Sequence, residues 1–274
     1  MRRNLRPVTN RSVVFETHDA ALVYWQTAMK VAVIIPAAGL GTRMSPVAVG
    51  AKPAKAPPSK QFTDLAGTPI LIHTLRKFTA SSAVSEIWIA LRENEIAGFR
   101  AQLEKEAEKQ TKDLNKKIEL VIGGEHRQQS VEHALNAIAA AADDIILVHD
   151  AVRPFVTEEI IHKVIEAARK YGAAIAGLPA VDTVKQVERT SEGALIKATI
   201  PRAGVVMAQT PQGFRYSVIK KAFDEASADG FTGTDESSLA ERSGHDVAVV
   251  MGSPRNIKIT TPADMDLAEF YLGK

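Results

Sequence analysis

Val31-Ala32-Val33-Ile34-Ile35-Pro36-Ala37-Ala38-Gly39-Leu40-Gly41-Thr42-Arg43-Met44 is the stretch whose reading decides the fold. Its first five residues form an apolar run of strand length, which reads as a buried strand. Two glycines one residue apart then let the backbone turn sharply and approach a ligand closely. Arg43 supplies a fixed cation just after that turn. A strand followed by Gly-x-Gly also suits a dinucleotide, but that fingerprint wants a third small residue where Met44 stands. The bulky residue and the cation favour a triphosphate; an ordinary strand-to-helix turn stays open at this point.

Outward from this stretch, strands and helices alternate. Strands are predicted at Val31–Ile35, Ile87–Ala90, Ile118–Ile122, Ile145–Val148 and Ala173–Leu178. Helices are predicted at Pro69–Thr79, Glu93–Lys109, Arg127–Ala141 and Glu158–Lys170. Such alternation indicates an α/β fold with a mostly parallel central sheet and helices on both faces. Ligands of such sheets sit beyond the carboxyl ends of the strands, where the glycine loop and His149-Asp150 fall. Residues 45–59 hold Pro46, Pro53, Pro57 and Pro58, which excludes a helix or central strand and predicts a lid-like loop. Residues 181–213 read as a projecting hairpin around Ser191-Glu192-Gly193. A hairpin alone is marginal, so it is expected to pack on something, with a second subunit as the candidate. Beyond it, helices near Tyr216–Ser227 and Asp235–Arg242, a strand Asp246–Val250 and a helix Pro262–Leu272 complete the chain.

The 274 residues are 45% hydrophobic, enough for one large α/β domain or two small ones. Lysine and arginine number 34 against 32 acids, a formal +2, so nothing suggests a nucleic-acid partner and any anion needs a local site. The absence of cysteine excludes disulfides and thiolate chemistry and fits a cytoplasmic protein. No apolar run reaches the ~18 residues of a membrane span. Residues 1–29, with Arg2, Arg3, Arg6 and Arg11, lack the apolar core of a signal peptide. They read as a poorly ordered extension, leaving 30–274 as one domain.

Other constellations carry chemistry. Lys60, in Ser59-Lys60-Gln61-Phe62, follows the proline-rich loop and can reach over phosphates as a mobile charge, with Lys52 and Lys55 as rivals. Gly123-Gly124-Glu125-His126-Arg127-Gln128-Gln129-Ser130 runs into a helix whose first turn can read a base edge; a simple capped turn is the alternative. In His149-Asp150-Ala151-Val152-Arg153-Pro154, Asp150 ends a strand and is the Mg²⁺ candidate, since that metal takes one or two carboxylates plus phosphates and water. His149 reads as a structural hydrogen-bonding group rather than a base. Arg153 is either a phosphate clamp or one half of an ion pair. Arg202 and Lys258, the latter read on a strand within Asn256 to Thr260, are the cations best placed for a second anionic substrate.

In order, Pro36 to Met44, Lys60-Gln61, Gly123 to Ser130, His149 to Pro154, Asp182-Thr183, Thr210-Pro211-Gln212, Thr234-Asp235-Glu236 and Asn256 to Thr260 resemble the 2-C-methyl-D-erythritol 4-phosphate cytidylyltransferases of non-mevalonate isoprenoid synthesis. The resemblance spans about Val31 to Leu272. It implies a Rossmann-like nucleotidyltransferase fold and a homodimer joined by the arm. The implied reaction joins CTP and methylerythritol phosphate into a diphosphocytidyl product and pyrophosphate. It implies that Pro36, Ala37, Ala38, Gly39, Gly41, Gly124, Glu125 and Ser130 hold CTP. It implies that Arg43, Lys60, Arg202 and Lys258 form the catalytic set and that Asp150 binds Mg²⁺. Asp150, Arg153, Thr183, Arg202, Thr210 and Lys258 would hold the sugar phosphate, some from a partner's arm. Glu125 replaces the usual Asp, Arg255 stands where an acid can occur, and the loop before Lys60 is long. Rival readings are a cytidylyltransferase for another polyol phosphate such as ribitol 5-phosphate, a dinucleotide-dependent oxidoreductase, and a catalytically inactive nucleotide-binding module.

Overall fold

A computed structural model describes residues 29–39, 59–109 and 116–273. In chain order the elements are β1 (Val31–Pro36), β2 (Asp64–Leu65), β3 (Thr68–Pro69), α1 (Ile70–Ala80), β4 (Glu86–Leu91), α2 (Glu93–Lys109), β5 (Lys117–Ile122) and α3 (Arg127–Ala137). There follow β6 (Ile145–Val148), α4 (Glu158–Tyr171), β7 (Ala173–Pro179), β8 (Val184–Thr190), β9 (Gly193–Ile200), β10 (Val206–Arg215), α5 (Tyr216–Ala228), α6 (Glu236–Arg242), β11 (Ala248–Met251) and α7 (Pro262–Leu272). Seven strands form one sheet in the order β11-β7-β10-β6-β1-β4-β5.

β1 shows why the sheet is covered twice. Val31, Val33 and Ile35 enter one apolar cluster with Leu71, Leu75 and Phe78 of α1, Phe99 of α2 and Ile161 and Val164 of α4. The alternate residues Ala32 and Ile34 join Val131 and Leu135 of α3, Ile219 and Phe223 of α5 and Leu239 of α6 on the other face. Period-two alternation between two buried faces produces the unbroken apolar run. β1 pairs in parallel with β4 on one side and β6 on the other. The chain reverses its direction of travel across the sheet at β1, so a crevice opens between the carboxyl ends of β1 and β6.

Three expectations are corrected. The projecting arm is shorter than 181–213: β8 and β9 form it, but Val206 onward returns into the sheet. β10 lies between β6 and β7, antiparallel to both. Its polar sequence hides it, because Gln209, Thr210 and Gln212 are buried but satisfied by partners outside the ladder. Gln209 donates to the Ser253 carbonyl at 2.9 Å, and Gln212 donates to Asp235 at 2.8 Å. Pro211 falls within the register shift between Ala208 and Gln212, where a missing N–H interrupts no regular pairing.

The second correction concerns α3, which ends at Ala137 rather than Ala141. The Asp144 carboxylate accepts the backbone N–H of Ala141 at 2.7 Å and of Lys30 at 2.9 Å, pulling that segment into a turn. Third, Asn256 to Thr260 is irregular chain rather than a strand. The buried Ile259 nonetheless anchors it, its N–H donating to the Val152 carbonyl at 2.9 Å. The extension before Met29, the proline-rich segment up to Pro58 and the lysines Lys52 and Lys55 lie outside the described residues.

Phe214 is the fully buried aromatic of β10 and packs with α5 across the sheet. Phe214→Ala is expected to cost about 3–5 kcal/mol, read as a lowered urea midpoint. A midpoint near the wild type would mean that β10 contributes little to the core.

Candidate active site

The carboxyl ends of β1 and β6 frame one pocket lined by Pro36 to Gly39, Lys60, Gln61, Gly124 to Arg127, Ser130, Asp150 to Val152 and Lys258. Two walls of different chemistry face each other across it.

The first wall is made by close backbone approach. A Cβ on Gly123 would lie 2.5 Å from the Ala38 Cβ and 2.9 Å from the Ser130 Oγ; one on Gly124 would lie 2.3 Å from the Gln129 Cβ. Neither contact is tolerable, so both glycines are required for α3 to dock beside the glycine loop. Ser130 Oγ accepts the Gly124 N–H at 3.1 Å and donates to the His126 carbonyl at 3.1 Å. Gln129 Oε1 accepts the N–H groups of Glu125 at 3.0 Å and His126 at 3.2 Å. On the facing side the Gln61 amide donates to the Ala37 carbonyl, fixing the short turn that carries Lys60.

The second wall is electrostatic. Asp150 is buried, and three cations converge on its carboxylate. Lys258 Nζ lies 3.0 Å and Arg153 Nε 3.1 Å from Oδ2, while Arg127 Nε lies 3.4 Å from Oδ1. Arg127 Nη1 also touches both oxygens of buried Glu236, at 2.6 and 2.7 Å. Burial alone would raise the Asp150 carboxyl, but Arg127, Lys258 and Arg153 outweigh it and hold it far below the carboxylate range. Burial likewise works against the charge on Arg127, and Glu236 and Asp150 more than restore it. Arg127, Arg153, Lys258 and Lys60 against Asp150, Glu236 and Glu125 leave a surplus of positive charge suited to phosphate.

Beneath the pocket, fully buried His149 donates from Nε2 to the Arg153 carbonyl at 3.0 Å, which leaves Nδ1 of the neutral ring to accept from the Thr210 hydroxyl at 3.1 Å. The Thr210 hydroxyl oxygen accepts the Asp150 N–H at 3.0 Å. Phe78 packs edge-on against the imidazole at 4.9 Å. Burial pushes His149 down to about 4, so it is neutral at physiological pH and holds β6 against β10.

The sequence-derived residues therefore sort unevenly. Pro36, Ala37, Ala38, Gly39, Lys60, Gly124, Glu125, Ser130, Asp150 and Lys258 are brought together. Arg153 is committed to Asp150 and to the Asn256 carbonyl at 2.7 Å, and Thr210 lies under the floor, so neither lines the cavity. Thr183 and Arg202 stand at the root of the arm, away from this pocket; Arg202 donates to the Val181 carbonyl. Gly41 and Arg43 lie outside the described residues. Sequence reasoning assigned no role to Arg127 or Glu236, although both stood inside quoted motifs. An arginine three residues before Ser130 and an acid after a Thr-Asp cap gave the signal, but only the fold makes them partners.

A doubly covered, mostly parallel sheet with a neutral backbone wall and a cationic wall at its carboxyl edge defines a nucleotide-handling transferase. The family model described as 2-C-methyl-D-erythritol 4-phosphate cytidylyltransferase matches residues 31–274. A relative of that name from Acidobacterium capsulatum is 56% identical over 244 residues, 89% of this chain and 98% of its own. One from Solibacter usitatus is 50% identical over 244 residues, 89% of this chain and 96% of its own. Among solved structures, a 4-diphosphocytidyl-2C-methyl-D-erythritol synthase from Anaerococcus prevotii superposes with a TM-score of 0.72 at 29% identity, covering 90% of this chain and 97% of that one. The Francisella tularensis 2-C-methyl-D-erythritol 4-phosphate cytidylyltransferase gives 0.68 at 33%, covering 88% and 99%. The chain belongs to the 2-C-methyl-D-erythritol 4-phosphate cytidylyltransferase family and is a nucleotidyltransferase.

His149 makes a prediction about acid stability. As pH falls through 6.5 the unfolded chain binds a proton that the folded chain refuses until about 4, so stability declines across that window. The decline attributable to this group is up to about 3 kcal/mol. Urea unfolding between pH 7 and 4 should show it in the wild type. His149→Asn, weaker throughout, should have a shallower slope; parallel profiles would contradict the assignment.

Proposed function

We propose that the chain transfers the cytidylyl group of CTP to the phosphate of 2-C-methyl-D-erythritol 4-phosphate, releasing pyrophosphate in isoprenoid precursor synthesis. The observation that carries the residue-level reading is the pairing of the two walls across one pocket. The Gly124–Ser130 edge and Pro36 to Gly39 take the nucleoside. Lys60, Lys258 and the ring around Asp150 face the phosphates.

The chemistry follows from charge. A phosphate oxygen of the acceptor attacks the α-phosphorus, a new P–O bond forms, and the bond to the β-phosphate bridging oxygen breaks. The electron pair leaves with pyrophosphate. The acceptor oxygen is already anionic, so no base is needed, which agrees with a neutral, buried His149. What must be supplied is alignment of two anions and stabilisation of charge growing on the α-phosphorus. Lys60 and Lys258 carry that role here, together with Arg43 of the glycine motif, which lies outside the described residues. Charge-assisted hydrogen bonds of this kind contribute roughly 1.5–3 kcal/mol each.

A divalent metal fits the donor set in one way. Asp150 Oδ2 is committed to Lys258 and Arg153, while Oδ1 has a longer contact, to Arg127. A single carboxylate with substrate phosphates and water is a normal Mg²⁺ environment. Asp150 would hold the ion, which when bound supplies charge neutralisation at the triphosphate.

The arm belongs to the same reading. β8 and β9 expose Val187, Leu195 and Ile196 on a two-stranded ribbon, which is marginal by itself. We take it to pack on a second copy in a homodimer, with residues 30–274 as one domain. Thr183 and Arg202 would serve the neighbouring pocket, and Arg153 and Thr210 would support the acceptor phosphate through Asp150. The enzyme would work in the cytoplasm, where CTP is available, without nucleic acid or membrane.

Pyrophosphate release with CTP and Mg²⁺ tests the reaction, with methylerythritol phosphate and ribitol 5-phosphate compared as acceptors. Clear preference for the first is expected; preference for the second, or no release, would overturn the acceptor or the activity. Lys60→Ala should lower turnover about a hundredfold, whereas Lys52→Ala and Lys55→Ala should not. Equal losses in all three would reduce Lys60 to part of a basic surface.

A further inference from the structure

Arg127 and Gln128 open α3 and together strap it to the segment that starts α6. Arg127 Nη1 holds both oxygens of Glu236, at 2.6 and 2.7 Å, and Glu236 is buried. One residue later, Gln128 makes a two-way amide contact with the same segment. Its Nε2 donates to the Phe231 carbonyl at 3.0 Å, and its Oε1 accepts the Gly233 N–H at 2.9 Å. The strapped segment is itself rigid. Asp235 caps α6 by accepting the Ser238 N–H at 3.0 Å, and Gln212 of β10 reaches both Asp235 and the Ser237 N–H. The first turn of α3 is thus tied, through side chains alone, to a second helix and to the central sheet.

That turn follows directly on Gly124 and Glu125 and carries Ser130, the pocket edge read above as contacting the nucleoside. Contacts that read a base must be held to within a fraction of an ångström, which a helix end achieves only if its own supports are fixed. We propose that Glu236 and Gln128 are specificity-determining positioning residues, which hold the first turn of α3 in the register that selects cytosine over uracil. The two bases differ at the ring edge, where cytosine has an amino donor and uracil a carbonyl acceptor, so a misplaced donor or acceptor abolishes discrimination before it abolishes binding. The inference rests on the nucleoside reading of the Gly124–Ser130 edge.

The test compares kcat/KM for CTP and UTP in the full-length enzyme. Glu236→Gln keeps the shape but weakens the grip on Arg127; Gln128→Ala removes the second strap without touching a charge. Each is expected to narrow the CTP-to-UTP ratio about tenfold, with the loss for CTP falling on KM more than on kcat. Gln128→Glu, which keeps an acceptor for the Gly233 N–H, should recover part of the ratio. Ser130→Ala reports on the underlying reading separately. An unchanged ratio in both strap variants, with a reduced one in Ser130→Ala, would overturn the positioning role alone. An unchanged ratio in Ser130→Ala would overturn the nucleoside reading and the inference with it. If Glu236→Gln does not fold, Gln128→Ala decides. A kcat loss at constant ratio would also overturn the inference.

Discussion

One carboxylate organises this molecule. Asp150 is buried at the end of β6 and gathers Arg127, Arg153 and Lys258 from three parts of the chain. Without it, three cations would repel one another in a poorly solvated crevice, which electrostatics does not permit. With it, α3, the Val152–Arg153 turn and the irregular Asn256–Thr260 segment converge on one point. The price is an ion cluster of little net stabilising value, and the return is a fixed positive field at the edge of the pocket. The scaffold beneath agrees: Thr210 holds the Asp150 N–H, His149 holds Thr210 and the Arg153 carbonyl, and β10 brings Thr210 to them.

The fold was largely legible because its core strands are buried on both faces. The run Val31–Ile35 and the runs at β4, β6 and β7 read as continuous apolar segments, and helices with a one-sided apolar stripe stand between them. β10 escaped for the opposite reason. Gln209, Thr210 and Gln212 look like surface residues, and only a folded chain supplies the Ser253 carbonyl, His149 and Asp235 that satisfy them. Asp144 ends α3 early by holding the Ala141 N–H locally while its other oxygen is fixed by the distant Lys30 N–H, a tertiary anchor no local propensity contains.

The site divides along the same line. Backbone requirements are local, so the paired glycines and the glycine loop announced themselves. Charge pairing is not local: Arg127 and Glu236 lie far apart in sequence, and Arg153 could be read equally as clamp or ion pair until Asp150 was placed beside it. Thr183 and Arg202 show a third limit. Their residue types suit an anionic substrate, yet the chain holds them at the root of the arm, away from its own pocket.

The central claim is that the charge ring around Asp150 acts on the transition state rather than on nucleotide capture. Single-turnover transfer at saturating CTP and acceptor, measured alongside CTP affinity in Asp150→Asn, addresses it directly. The account predicts a loss in the transfer rate of about a hundredfold or more, well beyond any loss of CTP affinity. A variant that transferred at the wild-type rate once saturated, and lost only affinity, would contradict it.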